Sequence, residues 1–228
     1  MEPTQTPPPG PVPRLPPPLV SWIFLGLCVL VFLPHALENE PPLRFILYGP
    51  AVAAGEWWRV LTSSLEHVTP MHILMNGLSI FSFGPVVERQ IGARRFLLVS
   101  LIAALTSSAA ALAFMWFYPS AGASGVIAGW LGLALPISDG RARKVLVQWT
   151  ILLVLVSLVP RVSWAAHLGG FVGGLAAGLL IRASARRNPT APFRLLDRFA
   201  LPLLVLAVVA VVLVVRLHAG ATPETLPA

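Results

Sequence analysis

The run from Phe96 to Ser138 contains no charged residue, and its length restricts the possible folds more than any other feature of the chain. As one helix at about 1.5 Å per residue it would reach roughly 64 Å, whereas the hydrocarbon core of a bilayer is about 30 Å thick. The chain must therefore reverse inside this run. Turn residues from Tyr118 to Gly122 predict a reversal just before Ser124, so that a serine opens a helix within the membrane or at its edge.

The composition of the whole chain is that of a membrane protein. Hydrophobic residues make up 56% of the 228 positions and charged residues 11%, a composition that favours a polytopic membrane protein over a soluble domain. The net charge of +7 lies in short clusters between apolar runs, without interleaved aromatics, so we expect no nucleic-acid partner. A single cysteine, Cys28, excludes an internal disulfide and a cysteine-rich metal site.

Seven apolar segments predict an all-α fold, a polytopic membrane helix bundle with seven transmembrane helices. They cover about 19–37, 71–87, 96–117, 124–138, 145–160, 163–181 and 199–215. The first segment is long for a signal peptide and lacks a small-x-small cleavage site, so we expect it to be retained.

The same pattern divides the chain into five parts. We expect a proline-rich flexible cytoplasmic tail (1–18, with nine prolines), a six-helix core (19–182), a basic cytoplasmic linker (183–198), an extra transmembrane helix (199–217) and a short outer tail (218–228).

Arginine and lysine are distributed unevenly over the predicted connections. With the N-terminus in the cytoplasm, twelve of the sixteen fall on the inner side, and four fall outside, namely Arg44, Arg59, Arg161 and Arg216. The positive-inside rule therefore predicts a cytoplasmic N-terminus, an outer C-terminus and an outer position for the turn before Ser124.

Four polar residues stand out within the predicted spans: His72, Asn76, Ser124 and His167. Polar side chains in hydrocarbon are costly, so they mark candidate functional sites. Counting back to the first charge at the inner end of each helix puts Ser124 and His167 roughly 22 Å, His72 roughly 24 Å and Asn76 roughly 18 Å above the inner boundary. Three separate helices thus bring polar groups to one layer of the outer leaflet.

A serine and a histidine at equal depth are the minimum for acyl transfer. The imidazole can remove the hydroxyl proton and later protonate the leaving amine, so we identify Ser124 as the candidate nucleophile and His167 as its base. No Asp or Glu lies in the spans at this depth, so we expect a catalytic dyad. His72 and Asn76 share a helix face at i and i+4, and with the Ser124 backbone N–H they are candidates for an oxyanion hole.

Close approach of the two candidate catalytic helices requires small residues. Gly125 and Gly129 follow the serine, and Gly170, Gly174 and Gly178 form a stripe after the histidine. This spacing predicts tight backbone packing between the two helices.

These residues together resemble the rhomboid family of intramembrane serine proteases, in its bacterial form with six core helices plus one. The matching motifs, in the order of the family, are Trp58-Arg59; His67, His72 and Asn76 as H-x4-H-x3-N; Glu88-Arg89; Gly122-Ala123-Ser124-Gly125; and Ala166-His167 with Gly170 and Gly174. The resemblance implies a dyad of Ser124 and His167 with His72 and Asn76 in the oxyanion hole. We assign structural or supporting roles to His67, Trp58, Arg59, Glu88, Arg89, Gly122, Gly125, Gly129, Gly170 and Gly174.

The resemblance also has implications for substrates and location. It implies cleavage of transmembrane protein substrates near their outer end, within the lipid bilayer of a bacterial cell (inner) membrane, and it implies no metal or other cofactor. Ala128 departs from the family pattern, in which an aromatic residue four positions after the serine often supports the base. The orientation of His167 must therefore be held in another way.

Several alternatives fit parts of the pattern. A zinc site of His67, His72 and His167 lacks an H-E-x-x-H motif and a well-placed carboxylate. A transporter is expected to show related repeats or intramembrane charges, and neither is visible. A non-catalytic rhomboid-like protein that binds or escorts transmembrane clients lacks the serine or the histidine, whereas this chain has both. His67 alone could equally be a surface group at the headgroup level, and Trp58 and Arg59 could be simple interface anchors.

Overall fold

In a computed structural model of the protein, residues 16–38 and 44–222 are described, and they form a helix bundle. No strand occurs among these residues, and Leu47 and Ser120 form an isolated antiparallel bridge. The predicted all-α class is confirmed. The helices are α1 (Leu19–Glu38), α2 (Gly49–Ala53), α3 (Arg59–Thr62), α4 (Pro70–Ile91), α5 (Ala93–Phe114), α6 (Ser124–Ile137), α7 (Gly140–Ser157), α8 (Trp164–Arg187) and α9 (Arg194–His218). Residues 1–15 of the predicted tail and 223–228 at the C-terminus lie outside the described residues.

Each of the seven predicted apolar segments is helical over most of its length. Five of these helices are long and apolar enough to cross a membrane: α1, α4, α5, α8 and α9. α6 has 14 residues, which at about 1.5 Å per residue gives roughly 21 Å. α7 has 18 residues and begins with the basic residues Arg141, Arg143 and Lys144. The chain is thus an integral membrane protein, and seven crossings stay a prediction.

The predicted basic linker, residues 183–198, is helical at both ends. α8 continues to Arg187 and α9 already begins at Arg194, so the non-helical connection is residues 188–193. Hydropathy marks only the apolar part of a membrane helix, whereas helical hydrogen bonding continues into the polar layer where arginine is favourable.

α1 is fixed at its N-terminus by a carboxylate from α4. Glu88 accepts hydrogen bonds from the Val20 N–H at 3.0 Å, the Ser21 N–H at 2.7 Å and the Ser21 hydroxyl at 2.6 Å. These N–H groups have no partner within α1, and a negative charge is favourable at the positive end of the helix dipole. The sequence predicts Glu88 and Arg89 beyond the second span. α4 instead continues to Ile91, with Glu88 buried and Arg89 exposed.

Trp130 packs α6 against α1 and α5 in the half of the bundle below Ser124. Its ring is fully buried, 4.9 Å from the ring of Phe96 and 6.0 Å from that of Phe24. Its Nε1–H donates to Ser100 Oγ at 2.9 Å, so the indole has both apolar contacts and a polar partner. α6 is thereby held at a defined height and rotation.

α6 and α8 cross with their backbones in contact. A Cβ atom on Gly170 would collide with the carbonyl of Gly125, and one on Gly174 with the carbonyl of Gly129. A backbone carbonyl inside a helix cannot move aside without loss of its hydrogen bond, so glycine is required at both positions. The predicted packing of the two candidate catalytic helices through small residues is confirmed.

α9 packs along α5 and is held at both ends. Asp197 accepts from Arg95 Nε and Nη2, each at 2.7 Å, and from Arg94 Nη2 at 3.2 Å. At the other end His218 stacks on Trp116, which follows α5, with ring centroids 5.0 Å apart. The extra helix is therefore attached to the core.

Gly174→Ala is expected to destabilise the protein, because the added methyl group collides with the carbonyl of Gly129. Overpacking of this kind costs about 1–3 kcal/mol. Thermal unfolding in detergent measures the change. Gly26→Ala is the matched control, since a Cβ atom on Gly26 of α1 meets nothing within 4 Å. Equal melting temperatures for the two variants would contradict the proposed packing constraint.

Candidate active site

The hydroxyl of Ser124 lies in hydrogen-bonding contact with the imidazole of His167. Ser124 is the first residue of α6, and His167 is in the first turn of α8, which begins at Trp164. Ser124 Oγ lies 2.8 Å from His167 Nε2. The structure thus brings together the two residues that the sequence singled out as nucleophile and base.

A left-handed glycine before Ser124 makes this position possible. Gly122 has φ +117, a conformation that side-chain-bearing residues rarely adopt, and its N–H donates to the Ser63 carbonyl at 2.9 Å. The bridge between Leu47 and Ser120 ties the same loop to the segment before α2, with N–O distances of 2.8 and 2.9 Å. The loop that delivers Ser124 is therefore braced from two sides.

A cavity of about 310 Å³ opens onto the candidate site. Ser124, His167 and His72 line it, together with residues of the loop before α6 and of the connection between α7 and α8, including Arg161. Its walls combine hydroxyl and backbone groups with apolar side chains. Within the described part of the chain, no group of three or more His, Cys, Asp or Glu side chains is placed to hold a metal ion.

His72 and Asn76 face the loop before Ser124, as their i, i+4 spacing predicts. A Cβ atom on Gly122 would lie 2.6 Å from His72 Nε2 and 3.8 Å from Asn76 Nδ2. Asn76 uses one amide hydrogen in a bond from Nδ2 to the His72 carbonyl at 3.0 Å. Because a side-chain amide has two such hydrogens, one remains available beside the site.

His67 is fully buried behind the serine loop, so its reading as a surface group at the headgroup level is wrong. Its Nδ1 lies 3.0 Å from the Leu65 carbonyl, and its Nε2 accepts the Ala123 N–H at 3.5 Å. Burial, with the nearby His72 as a second cause, lowers the pKa of His67 to about 4. A neutral ring with the proton on Nδ1 satisfies both contacts, so His67 braces the residue next to Ser124.

Trp58 and Arg59 lie between α2 and α4, where Arg59 begins the short helix α3. Arg59 donates from Nη1 to the Ile46 carbonyl at 2.7 Å, and from Nε and Nη2 to Glu56 Oε2 at 2.9 and 2.7 Å. Trp58 is half exposed, and its Nε1–H lies 3.4 Å from the Arg44 carbonyl. Arg59 therefore links separate segments of this connection through hydrogen bonds and is not a simple interface anchor. The half-exposed ring of Trp58 fits the interpretation as an interface anchor.

Ser157, the last residue of α7, was not predicted as a site residue, yet it contacts the other nitrogen of the candidate base. Ser157 Oγ lies 2.7 Å from His167 Nδ1 and donates to the Leu153 carbonyl at 2.7 Å. The depth count places Ser157 roughly 20 Å above Lys144, close to the level of His167, but it does not distinguish Ser157 from the other serines of the helices. Ala128 is fully buried and brings no polar group to the ring.

A second buried polar pair, also missed, lies beside His67. His35 Nε2 of α1 lies 3.0 Å from Glu66 Oε1, and Glu66 is fully buried. Glu66 Oε1 accepts the His67 N–H at 3.2 Å, while Oε2 has no hydrogen-bond partner among the described residues. Burial raises the pKa of Glu66, and the neighbouring His35 opposes that shift. No spacing pattern indicates this pair, because Glu66 lies in a loop.

The comparisons with known proteins agree on one family. The family model of the rhomboid domain matches residues 54–184, more than half of the chain. "Rhomboid protease GluP" from Bacillus subtilis (strain 168) is 33% identical over 175 residues, which is 70% of this chain and 34% of that protein. "Putative rhomboid protease YdcA" from the same organism is 33% identical over 150 residues, 61% of this chain and 75% of that protein. The chain thus spans about a third of the first relative and three quarters of the second.

Glu66→Gln is expected to remove a pH dependence of stability. A carboxyl whose pKa is raised on folding stabilises the fold below its unfolded value, near 4.5, and loses this contribution as pH rises through the folded value. Relative to Glu66→Gln, the native protein should therefore lose stability as pH rises above about 4.5, because groups such as His67, whose pKa is lowered on folding, contribute equally in both proteins. Thermal unfolding over this pH range measures the difference.

Asp139→Asn is the control for the Glu66 variant, because Asp139 precedes α7 without a side-chain capping bond. It should retain the pH dependence of the native protein. Parallel pH profiles of the native protein and Glu66→Gln would show that the carboxyl of Glu66 does not titrate with folding.

Proposed function

The chain belongs to the rhomboid family of intramembrane serine proteases, and we propose that it is a serine endopeptidase with Ser124 and His167 as its catalytic dyad. The observation that carries this proposal is the 2.8 Å contact between Ser124 Oγ and His167 Nε2 at a cavity in the bundle. The region matched by the family model, residues 54–184, includes both residues. A non-catalytic escort has no need of this contact.

In the first half of the reaction, His167 Nε2 takes the proton of Ser124 as Oγ attacks the carbonyl carbon of the scissile peptide. The carbonyl oxygen becomes an oxyanion, and the proton then passes from Nε2 to the leaving amine as the peptide bond breaks. The products are an acyl group on Ser124 and a free amine. A water molecule in the cavity then attacks the acyl carbon, with His167 again as base, and Ser124 regains its proton.

We propose that three hydrogen-bond donors around Gly122 stabilise the oxyanion. The Ser124 N–H is at the first position of α6, where helix geometry provides no partner. His72 Nε2 and the remaining amide hydrogen of Asn76 face the same loop. Fixed donors in a site of low dielectric are effective because they need no reorganisation when the charge develops.

We propose that the substrates are transmembrane segments of membrane proteins, cut near their outer end. The site lies at the end of the bundle opposite the ion pairs of Asp197 with Arg94 and Arg95. The bias of arginine and lysine supports the assignment of this charged end to the cytoplasm, with the N-terminus inside and the C-terminus outside. A bacterial cell membrane is proposed because both relatives are bacterial. Residues 19–182 would then be the catalytic core, and α9 an addition to it.

Ser124→Ala and His167→Ala are each expected to abolish cleavage of a model transmembrane substrate by the purified protein, because the dyad loses its nucleophile or its base. Gel-resolved cleavage in proteoliposomes measures this. Ser82→Ala is the matched control, since Ser82 lies on α4 and donates to the Leu78 carbonyl away from the site. Cleavage retained by Ser124→Ala would overturn the mechanism.

A mechanism-based serine inhibitor separates loss of chemistry from loss of folding. It should label Ser124 in the native protein, and mass spectrometry should locate the modified residue. Labelling should disappear in His167→Ala, and circular dichroism and thermal melting of the same variant should show that it is folded. Efficient labelling of Ser124 without His167 would remove the histidine from the role of base.

His72→Ala and Asn76→Ala are expected to lower kcat by roughly 10²-fold each, because each removes one oxyanion donor. KM should change little, since the donors act on charge that exists only in the transition state. Steady-state kinetics in detergent micelles measure both constants. An unchanged kcat in both variants would exclude the two residues from the oxyanion hole.

A further inference from the structure

We propose that Ser157 is a positioning residue for the catalytic base: it fixes the proton of His167 on Nδ1 and stabilises the imidazolium that forms during the reaction. The inference rests on the proposed function, in which His167 accepts the proton of Ser124. It starts from the 2.7 Å contact between Ser157 Oγ and His167 Nδ1 on the side of the ring that faces away from Ser124.

The hydrogen-bond inventory determines which group donates in this contact. A hydroxyl has one proton, and that of Ser157 is directed to the Leu153 carbonyl at 2.7 Å. Oγ must then act as acceptor towards His167, so Nδ1 carries the ring proton. A neutral imidazole has only one N–H, and Nε2 is therefore unprotonated and ready to accept the proton of Ser124 at 2.8 Å.

The result is an ordered series of three hydrogen bonds, from Ser124 to His167, from His167 to Ser157, and from Ser157 to the carbonyl of Leu153. The three residues come from α6, α8 and α7. Ser157 has the place in this series that an aspartate has in a serine-protease triad, where the acceptor sets the tautomer and orientation of the histidine. Here the acceptor is a neutral hydroxyl.

The end of α7 adds an electrostatic contribution. Ser157 is the last residue of that helix, where carbonyl groups without helical partners give the terminus a partial negative charge. When His167 takes the proton of Ser124, its ring becomes a cation next to this terminus. A cation is favourable there, so the position of Ser157 helps His167 to act as base in a site without a carboxylate.

Ser157→Ala tests the proposal through the pH dependence of kcat/KM. Loss of the acceptor should lower the plateau about 10- to 100-fold, in keeping with a hydrogen bond to a charged group. It should also move the acidic limb to lower pH, because the imidazolium form of His167 is no longer stabilised. His72 and Arg161, the other ionisable side chains along the cavity, are unchanged in the variant.

Two further variants separate positioning from a structural role. Ser157→Thr keeps the hydroxyl and should restore both the plateau and the limb. Thr150→Val on the same helix removes a similar bond, from Thr150 Oγ1 to the Leu146 carbonyl at 2.8 Å, and should leave the pH profile unchanged. A fall in rate for Ser157→Ala with the acidic limb in its native position would overturn the proposal.

Nitrogen NMR of histidine-labelled protein tests the contact without reference to cleavage. At a pH where the ring is neutral, the His167 signals, assigned through His167→Asn, should show the proton on Nδ1. In Ser157→Ala the Nε2–H tautomer should gain population. An unchanged tautomer in this variant would overturn the proposed role of Ser157, whether or not the protein cleaves a substrate. Absence of cleavage by the native protein would instead refute the proposed function.

Discussion

The backbone contact between α6 and α8 is the constraint on which the candidate site depends. Gly170 and Gly174 allow the carbonyls of Gly125 and Gly129 to approach at a distance that no side chain permits. Ser124 directly precedes Gly125, and His167 lies one helical turn before Gly170. A hydrogen bond of 2.8 Å between two helices therefore follows from where the glycines are.

Around this crossing, most buried polar groups have partners in neighbouring segments. His67 accepts the Ala123 N–H, Ser108 donates to the Val60 carbonyl, and Glu88 binds the first turn of α1. In a hydrocarbon environment an unpaired polar group is costly, so each of these bonds also specifies which segments are adjacent. The pair of His35 and Glu66 is the exception, because His35 Nε2 and Glu66 Oε2 have no hydrogen-bond partner among the described residues.

The sequence alone was sufficient to predict the site residues whose depth follows from simple physical rules. Polar side chains are rare in hydrocarbon and helices rise at a constant rate, so Ser124, His167, His72 and Asn76 could be predicted together. Ser157 could not be distinguished in the same way. Ser79, Ser82 and Ser100 also bond to carbonyls of their own helices, and only the rotation and tilt of α7 direct Ser157 to a histidine. Such rotations are set by tertiary packing, as is the burial of Glu66.

The attachment of α9 has a geometric consequence for the surroundings of the site. Asp197 and the ring of His218 bind opposite ends of α5, and Trp116, the partner of His218, belongs to the loop that leads to Ser124. α9 therefore carries the chain from the charged end of the bundle back to the loop that leads to Ser124. A reporter domain fused after residue 222 would be tethered close to the loop that leads to Ser124, so such a fusion could disturb the candidate site.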